Sequence, residues 1–479
     1  MSEVAAAGAL RRGPRLRGSN LNCEESPARL PLPTEEYGKD EQGVWRRVII
    51  GSITGPKLHI ECSARGSSQD ALRKAWDQAW LRGALPMLNR ESSAFATSLR
   101  IVDLFSGCGA MSLGVRLATE SFGLHFESLL AADLNDSALD TYKLNFQPKT
   151  VLLGDLAALV SFIVGADGRL ETASACAELT SLSGKVDLLI GGPPCQGHSD
   201  LNNHSRRTDP KNSLYLLVPA VAAVLKPRAV MIENVPAVVH DKMGVVATTE
   251  RWLKDLGYHV VQAPVTLARI GIAQRRRRHV LLATLGSEVD LVGLLEIFET
   301  KERTTRWAMG DLADSKADIV FDRASVHTGE NKKRIDWLFE KMEYDLPNCE
   351  RPRCHRDKKH TYVSMYGRIR WDEPAQTVTS GYGSPGQGRY VHPSRRRTLT
   401  PHEAARLQFF PDSFRFIGKE LAPTRTQLAD MIGNAVPPKL SYILALLAIA
   451  ACRAKELLAE ANVIHEGEHP VLGASVNGS

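Results

Sequence analysis

The sequence has few of the features that mark membrane, secreted or repeat proteins. No uninterrupted apolar run reaches the roughly 18–20 residues that a membrane-spanning helix needs, and the N-terminus lacks the apolar core of a secretory signal. The eight cysteines follow no regular framework, as expected in a reducing compartment where a thiol can stay free. No segment recurs at a fixed period, which argues against solenoids and propellers. We therefore expect a globular cytoplasmic protein with roughly two or three domains.

The net charge is small but unevenly distributed. The chain has 60 Lys and Arg against 54 Asp and Glu, a net charge of +6. Residues 349–406 carry twelve basic and five acidic residues, and the run ARIGIAQRRRR (268–278) adds five arginines. A basic sector on an otherwise acidic chain is typical of a polyanion site, which favours nucleic acid as the partner; a solvated charged surface is the alternative.

The first part of the chain predicts a leader and a small module. Residues 1–44 are polar, rich in Arg, Glu and Pro and aperiodic, which predicts a flexible leader. Residues 45–98 predict a small appended α/β module of unknown role. It has two short strands and an amphipathic helix, whose apolar face comprises Leu72, Ala75, Trp76, Ala79 and Trp80.

The remainder predicts an α/β enzyme with an insertion. From 99 to 286, strands and helices alternate, which predicts a doubly wound α/β fold. Residues 287–405 lose this pattern. Residues 406–463 are largely helical, and we expect the last helix to return to the first domain. Residues 464–479 predict a flexible tail.

The strands of the segment 99–286 end in residues suited to an adenosyl ligand. Ligands of doubly wound sheets lie outside the carboxyl ends of the strands. In the turn DLFSGCG, Gly107 and Gly109 let backbone amides approach a ligand, with turn geometry alone as the alternative. Asp133 ends the second strand, where it can accept from ribose hydroxyls, and Asp155 ends the third, where it can accept from an adenine amino group. No Gly-Lys-Ser/Thr follows, which argues against ATP chemistry.

The stretch GGPPCQGHSD (191–200) presents a single thiol after the fourth strand. Cys195 faces the same crevice, where strand-end amides and a helix N-terminus lower the pKa of a thiol; a structural turn cysteine is the alternative. One strand later, AVMIENV places Glu233 and Asn234 beside that thiol. A carboxyl in such a pocket can donate a proton to a ring nitrogen, with an ordinary exposed glutamate as the alternative.

The run QRRRR (274–278) precedes another strand. Because side chains alternate along a strand, we expect Gln274, Arg276 and Arg278 to share one face. Arg275 and Arg277 then face elsewhere, toward phosphate or solvent.

These segments, in order, resemble the motifs of the DNA (cytosine-5) methyltransferases. The resemblance rests on DLFSGCG, the aspartate after the second strand, GD, GGPPCQG, ENV, QRRRR, RRRTLTPHEAARLQFFPD and GNAVPP, and covers about residues 99–450. It implies a Rossmann-like catalytic domain at 99–286 that uses S-adenosylmethionine, and a smaller irregular target-recognition domain at 287–405. It also implies site-specific methylation of cytosine C5 in double-stranded DNA, through a covalent bond between Cys195 and C6 of a flipped base.

The resemblance assigns roles to individual residues. Cys195 is the nucleophile, Glu233 contacts N3 and the exocyclic amino group, and Asn234 helps to fix the loop. Arg276 and Arg278 hold the base and the catalytic loop. The cofactor contacts carried over are Phe105, Gly107, Gly109, Asp133, Asp155, Asn434 and Val436.

Two alternatives differ in substrate or in activity. One is the same reaction on tRNA cytosine, against which the long, basic, loop-rich region 287–405 favours DNA. The other is a non-catalytic DNA-binding relative, which would have no use for Cys195, Glu233 and the cofactor motifs. The resemblance further implies a bacterial, nucleoid-associated monomer that is not bound to a membrane. It is either paired in function with a cognate restriction endonuclease or a solitary regulator.

We expect no metal site. The candidate ligands Cys349, Cys354, His355 and His360 lie in a CxxxxCH arrangement. This is not a standard spacing for zinc ligands.

Overall fold

The computed structural model describes most of the chain. The described residues are 32–39, 45–50, 58–60, 68–84, 97–194, 210–314, 319–356, 364–420 and 422–453. Cys195, the predicted leader up to residue 31 and the predicted tail at 464–479 lie outside them.

A seven-stranded sheet forms the centre of the molecule. The strands in chain order are β1 (Thr34–Lys39), β2 (Trp45–Ile50), β3 (Leu58–Ile60), β4 (Ser98–Leu104), β5 (His125–Asp133), β6 (Thr150–Leu153), β7 (Val160–Val164), β8 (Leu170–Ala175), β9 (Leu188–Gly191), β10 (Ala229–Asn234), β11 (Tyr258–Thr266), β12 (Gln274–Arg275), β13 (Arg277–Leu285) and β14 (Ala375–Gln376). The central sheet has the order β11-β13-β10-β9-β4-β5-β6. Its strands are parallel except β13, which is antiparallel to both of its neighbours.

Helices cover both faces of this sheet. They are α1 (Gln69–Leu81), α2 (Ala110–Ser121), α3 (Asp136–Phe146), α4 (Leu156–Leu159), α5 (Ala177–Thr180), α6 (Leu217–Leu225), α7 (Val245–Asp255), α8 (Leu291–Ile297), α9 (Thr305–Met309), α10 (Gly329–Glu340), α11 (Arg353–Arg356), α12 (Pro401–Leu407), α13 (Arg425–Gly433) and α14 (Pro438–Cys452). Alternate strand residues serve two cores: Ile190 and Met231 pack with α2 and α14, whereas Leu189 and Ile232 pack with α6 and α7. The predicted doubly wound α/β fold is confirmed.

The structure corrects the predicted leader at 1–44. Thr34–Lys39 forms β1, which pairs antiparallel with β2, and Glu35 of β1 is buried. The polar sequence TEEYGK has no hydrophobic alternation to reveal this strand, because ion pairs rather than apolar contacts bury it. In α1, Leu72, Trp76 and Trp80 are buried, as predicted. We call β1–β3 together with α1 the N-terminal module.

The predicted boundary at 287 does not coincide with a boundary between cores. Leu294 of α8 and Trp307 of α9 belong to the same core as α14. A separate small core forms within the predicted target-recognition domain, from Ile335, Leu338, Leu346, Tyr366 and Val391. The predicted boundary at 405 falls inside α12.

The helical stretch near the C-terminus is two helices rather than one. The break between α13 and α14 contains Pro437, and α14 begins at Pro438, where a missing N–H costs no helical hydrogen bond. Helix α14 packs on α2, which lies in the segment 99–286. Among the described residues, no single helix has the length and apolar composition to cross a membrane, although α13 and α14 meet both criteria as a bent pair.

Candidate active site

The turn after β4 directs backbone amides toward the end of β5. Phe105, Gly107 and Gly109 have φ angles of 55°, 52° and 90°. A positive φ costs a residue with a side chain, here Phe105, roughly 1–3 kcal/mol, and such strain is typical of functional sites. A Cβ added to Gly107 would meet no atom within 4 Å, whereas one added to Gly109 would collide with the ring of Phe146. Gly107 therefore borders open space, and Gly109 lets α3 pack closely.

Two carboxylates follow the ends of β5 and β6. The oxygens of Asp133 each accept one backbone N–H at 2.8 Å, from Gly107 and from Asn135, which fixes the orientation of the carboxylate. Asp155 is exposed and caps α4, with Oδ1 accepting from the N–H of Ala157 at 3.0 Å. Because an ionised carboxylate offers about four acceptor positions, both groups can still bind a polar ligand.

The segment Gly433–Pro438 adjoins this crevice. A Cβ added to Gly192 would lie 3.6 Å from Sδ of Met111 and 3.7 Å from Cγ2 of Val436. Val436 is buried, and Asn434 is exposed at the end of α13. The end of β9, the start of α2 and this segment therefore meet at one place.

The backbone that leads to Cys195 is held at the end of β9. The Gly192 N–H donates to the Leu104 carbonyl at 3.4 Å, and Nδ2 of Asn234 donates to the Pro193 carbonyl at 3.1 Å. Cys195 itself lies outside the described residues. Asn234 thus holds the chain two residues before the predicted nucleophile.

Glu233 and Arg278 form a buried ion pair beside Asn234. Nε of Arg278 lies 2.5 Å from Oε1 of Glu233, and the side chains are 10% and 8% exposed. Tyr215 is also buried, and among the described residues its hydroxyl has no hydrogen-bond partner. Burial, and then the charge of Glu233, raise the pKa of Tyr215. A carboxyl, a guanidinium and an uncommitted hydroxyl are therefore grouped at the end of β10.

The alternation predicted for QRRRR is confirmed. The buried members are Gln274, Arg276 and Arg278, and the exposed members are Arg275 and Arg277. The paired strands β10 and β13 bring Arg278 to Glu233.

Arg276 has a different environment from Arg278. Its guanidinium donates to the carbonyls of Val378 at 2.9 Å and of Gly433 at 3.3 Å. The structure therefore places Arg276 between the predicted target-recognition region and the segment Gly433–Pro438, while Arg278 contacts Glu233.

Sequence reasoning missed Gln408. Its side chain is fully buried, its Nε2 donates to the Ile432 carbonyl at 2.6 Å, and its Oε1 accepts from Gln274 at 2.9 Å. Gln408 thus connects QRRRR with the end of α13. The available signal is an amide within the apolar run LQFF, since a buried amide requires partners.

Two of the described cysteines differ from a reactive thiol. Burial raises the pKa of Cys108, in the turn after β4, to about 12, and burial does the same for Cys452. Because the thiolate is the nucleophilic form, neither group competes with Cys195 for that role.

The described residues contain no group of three or more His, Cys, Asp or Glu side chains that could hold a metal ion. His360, one of the candidate ligands considered above, lies outside them.

The chain matches a family model and several relatives. The model of C-5 cytosine-specific DNA methylases matches residues 99–447. The chain is 42% identical to the type II methyltransferase M1.BsuMI of Bacillus subtilis (strain 168), covering 86% of this chain and 94% of that protein. It is 30% identical to the type II methyltransferase M1.HphI of Haemophilus parahaemolyticus, covering 73% of this chain and 87% of that protein. The chain is 19% identical to the protein in the crystal structure of S. pombe Dnmt2 methyltransferase. The match has a TM-score of 0.48 and covers 73% of this chain and 98% of that one.

The chain therefore belongs to the C-5 cytosine-specific DNA methylase family. This confirms the resemblance drawn from the motifs, and the activity is that of a DNA (cytosine-5) methyltransferase.

Proposed function

We propose that this enzyme methylates cytosine in one short sequence of duplex DNA, with Cys195 as the nucleophile and the target base flipped out of the helix. The observation that carries the proposal is the arrangement at the end of β10. There Glu233 pairs with Arg278, and Asn234 binds the Pro193 carbonyl just before Cys195.

The proposed chemistry solves a reactivity problem. C5 of cytosine is too weak a nucleophile to take a methyl group directly, and covalent catalysis divides the reaction into easier steps. Glu233 takes up a proton from solvent before the base binds. The Cys195 thiolate then adds to C6 and forms a C–S bond, while Glu233 supplies that proton to N3, which makes C5 enamine-like. After C5 has taken the methyl group, a solvent base removes the C5 proton, the C–S bond breaks, and the N3 proton returns to Glu233. Arg278 holds the Glu233 carboxyl in place throughout.

S-adenosylmethionine is the methyl donor that we propose, and its sulfonium supplies an electrophilic methyl group when bound. The open space at Gly107 and the spare acceptor positions of Asp133 and Asp155 suit a ribose and an adenine amino group. By the family resemblance, the remaining contacts are Phe105, Gly109, Asn434 and Val436.

The basic residues support a DNA substrate. Flipping a base costs a few kcal/mol of unstacking, and contacts between basic side chains and phosphates offset that cost. Arg277 is exposed next to Arg278 and is suited to such a contact. We propose that the region 287–405, with the small core around Leu338, reads the target sequence.

The relatives support a role in restriction–modification. M1.BsuMI and M1.HphI are both type II methyltransferases. We propose by analogy that this enzyme protects DNA from a cognate endonuclease.

The test is transfer of labelled methyl from S-adenosylmethionine to duplex DNA and, in parallel, to tRNA, with mapping of the product base. We expect label at cytosine C5 within one DNA sequence, none after Cys195→Ala, and full labelling after Cys176→Ser, which changes a partly buried cysteine at the start of α5, outside the region 287–405. Label in tRNA alone would overturn the substrate, and no label in either would favour the DNA-binding relative. Turnover by Cys195→Ala would overturn the proposed nucleophile.

A further inference from the structure

Buried polar contacts join the N-terminal module to the two helices next to the cofactor motifs. Asp77 of α1 forms an ion pair with Lys439 of α14, and the two side chains are 8% and 4% exposed. Arg47 of β2 donates to Oγ of Ser121 at the end of α2, at 3.2 Å. The N-terminal module therefore holds both α2 and α14 through groups that are shielded from solvent.

Lys439 depends on Asp77 for its compensating charge. It is the second residue of α14, where the positive end of the helix dipole disfavours a cation. Its ammonium is enclosed: a Cβ added to Gly271 would lie 2.8 Å from Nζ. Removing one partner of a buried pair leaves an uncompensated charge, so loss of Asp77 forces the start of α14 to rearrange or Lys439 to lose its proton.

Lys439 is close in the chain to residues that border the cofactor crevice, so a rearrangement at Lys439 affects them. Lys439 lies three residues after Val436, which adjoins Gly192. The Pro438 carbonyl packs so closely on Gly114 of α2 that no Cβ fits between them. The start of α14 therefore cannot shift without disturbing either Val436 or the helix that follows the glycine turn.

We propose that the N-terminal module positions the segment Gly433–Pro438 for cofactor binding, through the buried pair of Asp77 and Lys439. Asp77 is thus a positioning residue, and the inference rests on the proposed role of that segment in binding S-adenosylmethionine. Asp70 provides a matched control, because it lies on the same helix and binds Arg303 at 2.7 Å, away from α14.

The test compares Asp77→Asn with Asp70→Asn by calorimetric titration of S-adenosylmethionine into the full chain. We expect Asp77→Asn to raise Kd roughly tenfold and Asp70→Asn to change it less than about twofold, although both lower the Tm. With saturating cofactor, kcat of Asp77→Asn stays near that of the wild type while KM for the cofactor rises. Equal Kd values for the two variants would overturn the inference. A wild-type chain that does not bind S-adenosylmethionine would refute the proposed cofactor instead.

A double variant decides the matter if Asp77→Asn does not fold. Asp77→Asn with Lys439→Gln buries no unpaired charge, yet it replaces the ion pair by a weaker hydrogen bond between amides. If the double variant has a higher Kd for S-adenosylmethionine than Asp70→Asn, the inference is supported. If the two Kd values are equal, the inference is overturned.

Discussion

Two buried glutamates, Glu35 in the N-terminal module and Glu233 at the strand ends, are held in different ways. They are 6% and 7% exposed. Glu35 accepts hydrogen bonds at 2.9–3.0 Å from four side chains, those of Tyr37, Arg47, Arg73 and Tyr442. Among the described residues, Glu233 has one charged partner, Arg278, and its buried Oε1 accepts no hydrogen bond.

The difference separates a structural carboxylate from one that is available to a ligand. Burial raises the pKa of Glu35, but the cations Arg47 and Arg73 outweigh it, so that the net pKa is lowered. All the hydrogen-bonding capacity of Glu35 is used within the protein. Glu233 is held by one guanidinium and keeps positions with which it can bind a base.

The largest effect is expected for Glu233, whose carboxyl keeps hydrogen-bonding positions for a base. Glu233→Gln removes the group that exchanges a proton with N3, and we expect kcat to fall by roughly 10²–10⁴, the usual worth of a general acid. The measurement is single-turnover methyl transfer to duplex DNA. Glu171→Gln is the control, because Glu171 is exposed on β8 and lies outside the region 287–405. A loss of less than about tenfold would contradict the role given to Glu233.

For Glu35, whose hydrogen-bonding capacity is all used within the protein, the main loss is expected in the free energy of unfolding. Glu35→Gln leaves Arg47 and Arg73 buried without their counter-charge, and breaking a buried pair costs about 3–5 kcal/mol. The measurement is the free energy of unfolding from urea denaturation. The exposed neighbour offers a control, Glu36→Gln, which should change stability by less than about 0.5 kcal/mol. Equal stabilities for the two variants would show that the cluster around Glu35 is energetically neutral.

A third buried carboxylate, Glu403, extends the comparison to pH. Burial raises its pKa, but hydrogen bonds from Arg397 and the proximity of His392, 3.3 Å away, lower it to about 2, against an ordinary value of 4.5. Because the folded pKa is depressed, this stability is fully present above pH 4.5 and is lost as the pH falls toward 2. The shift corresponds to about 3 kcal/mol.

The check is urea unfolding of wild type and Glu403→Gln at several pH values in that window. An amide does not titrate there, so the variant should lose stability less steeply on acidification than the wild type does. Parallel curves would mean that other carboxylates account for the acid sensitivity.

The strands of the central sheet are easier to predict from the sequence than the strands outside it. Strands such as LLIG, buried on both faces, produce apolar runs that are readable locally. The polar strand β1 reads as part of a leader in the sequence, because Glu35 is buried by partners 12 and 38 residues away. The hairpin of β7 and β8 was also missed; it carries exposed apolar side chains such as Ile163, which follow no buried pattern.

The candidate site shows the same limit. The strand-end argument predicts that Glu233 and Asn234 lie beside the thiol, because the carboxyl ends of adjacent parallel strands meet in a doubly wound sheet. The role of Arg278 follows only from the family resemblance. The partner of Arg276 was not predictable, since Val378 lies 102 residues away and is reached only through tertiary packing. Local periodicity shows which face a side chain occupies, whereas its partner depends on the whole fold.

The smallest effect compares two buried tyrosines. The Tyr442 hydroxyl donates to Glu35 at 2.9 Å, whereas the Tyr215 hydroxyl has no hydrogen-bond partner among the described residues. Removing a donor from a buried charge costs about 1.5–3 kcal/mol, so Tyr442→Phe should lower the free energy of unfolding by that amount. Tyr215→Phe removes a hydroxyl that makes no bond and should change stability by less than about 0.5 kcal/mol. If Tyr215→Phe greatly lowers the free energy of unfolding in urea, the Tyr215 hydroxyl forms a hydrogen bond in solution. In that case fewer hydrogen-bonding groups near Glu233 remain for a ligand than the geometry indicates.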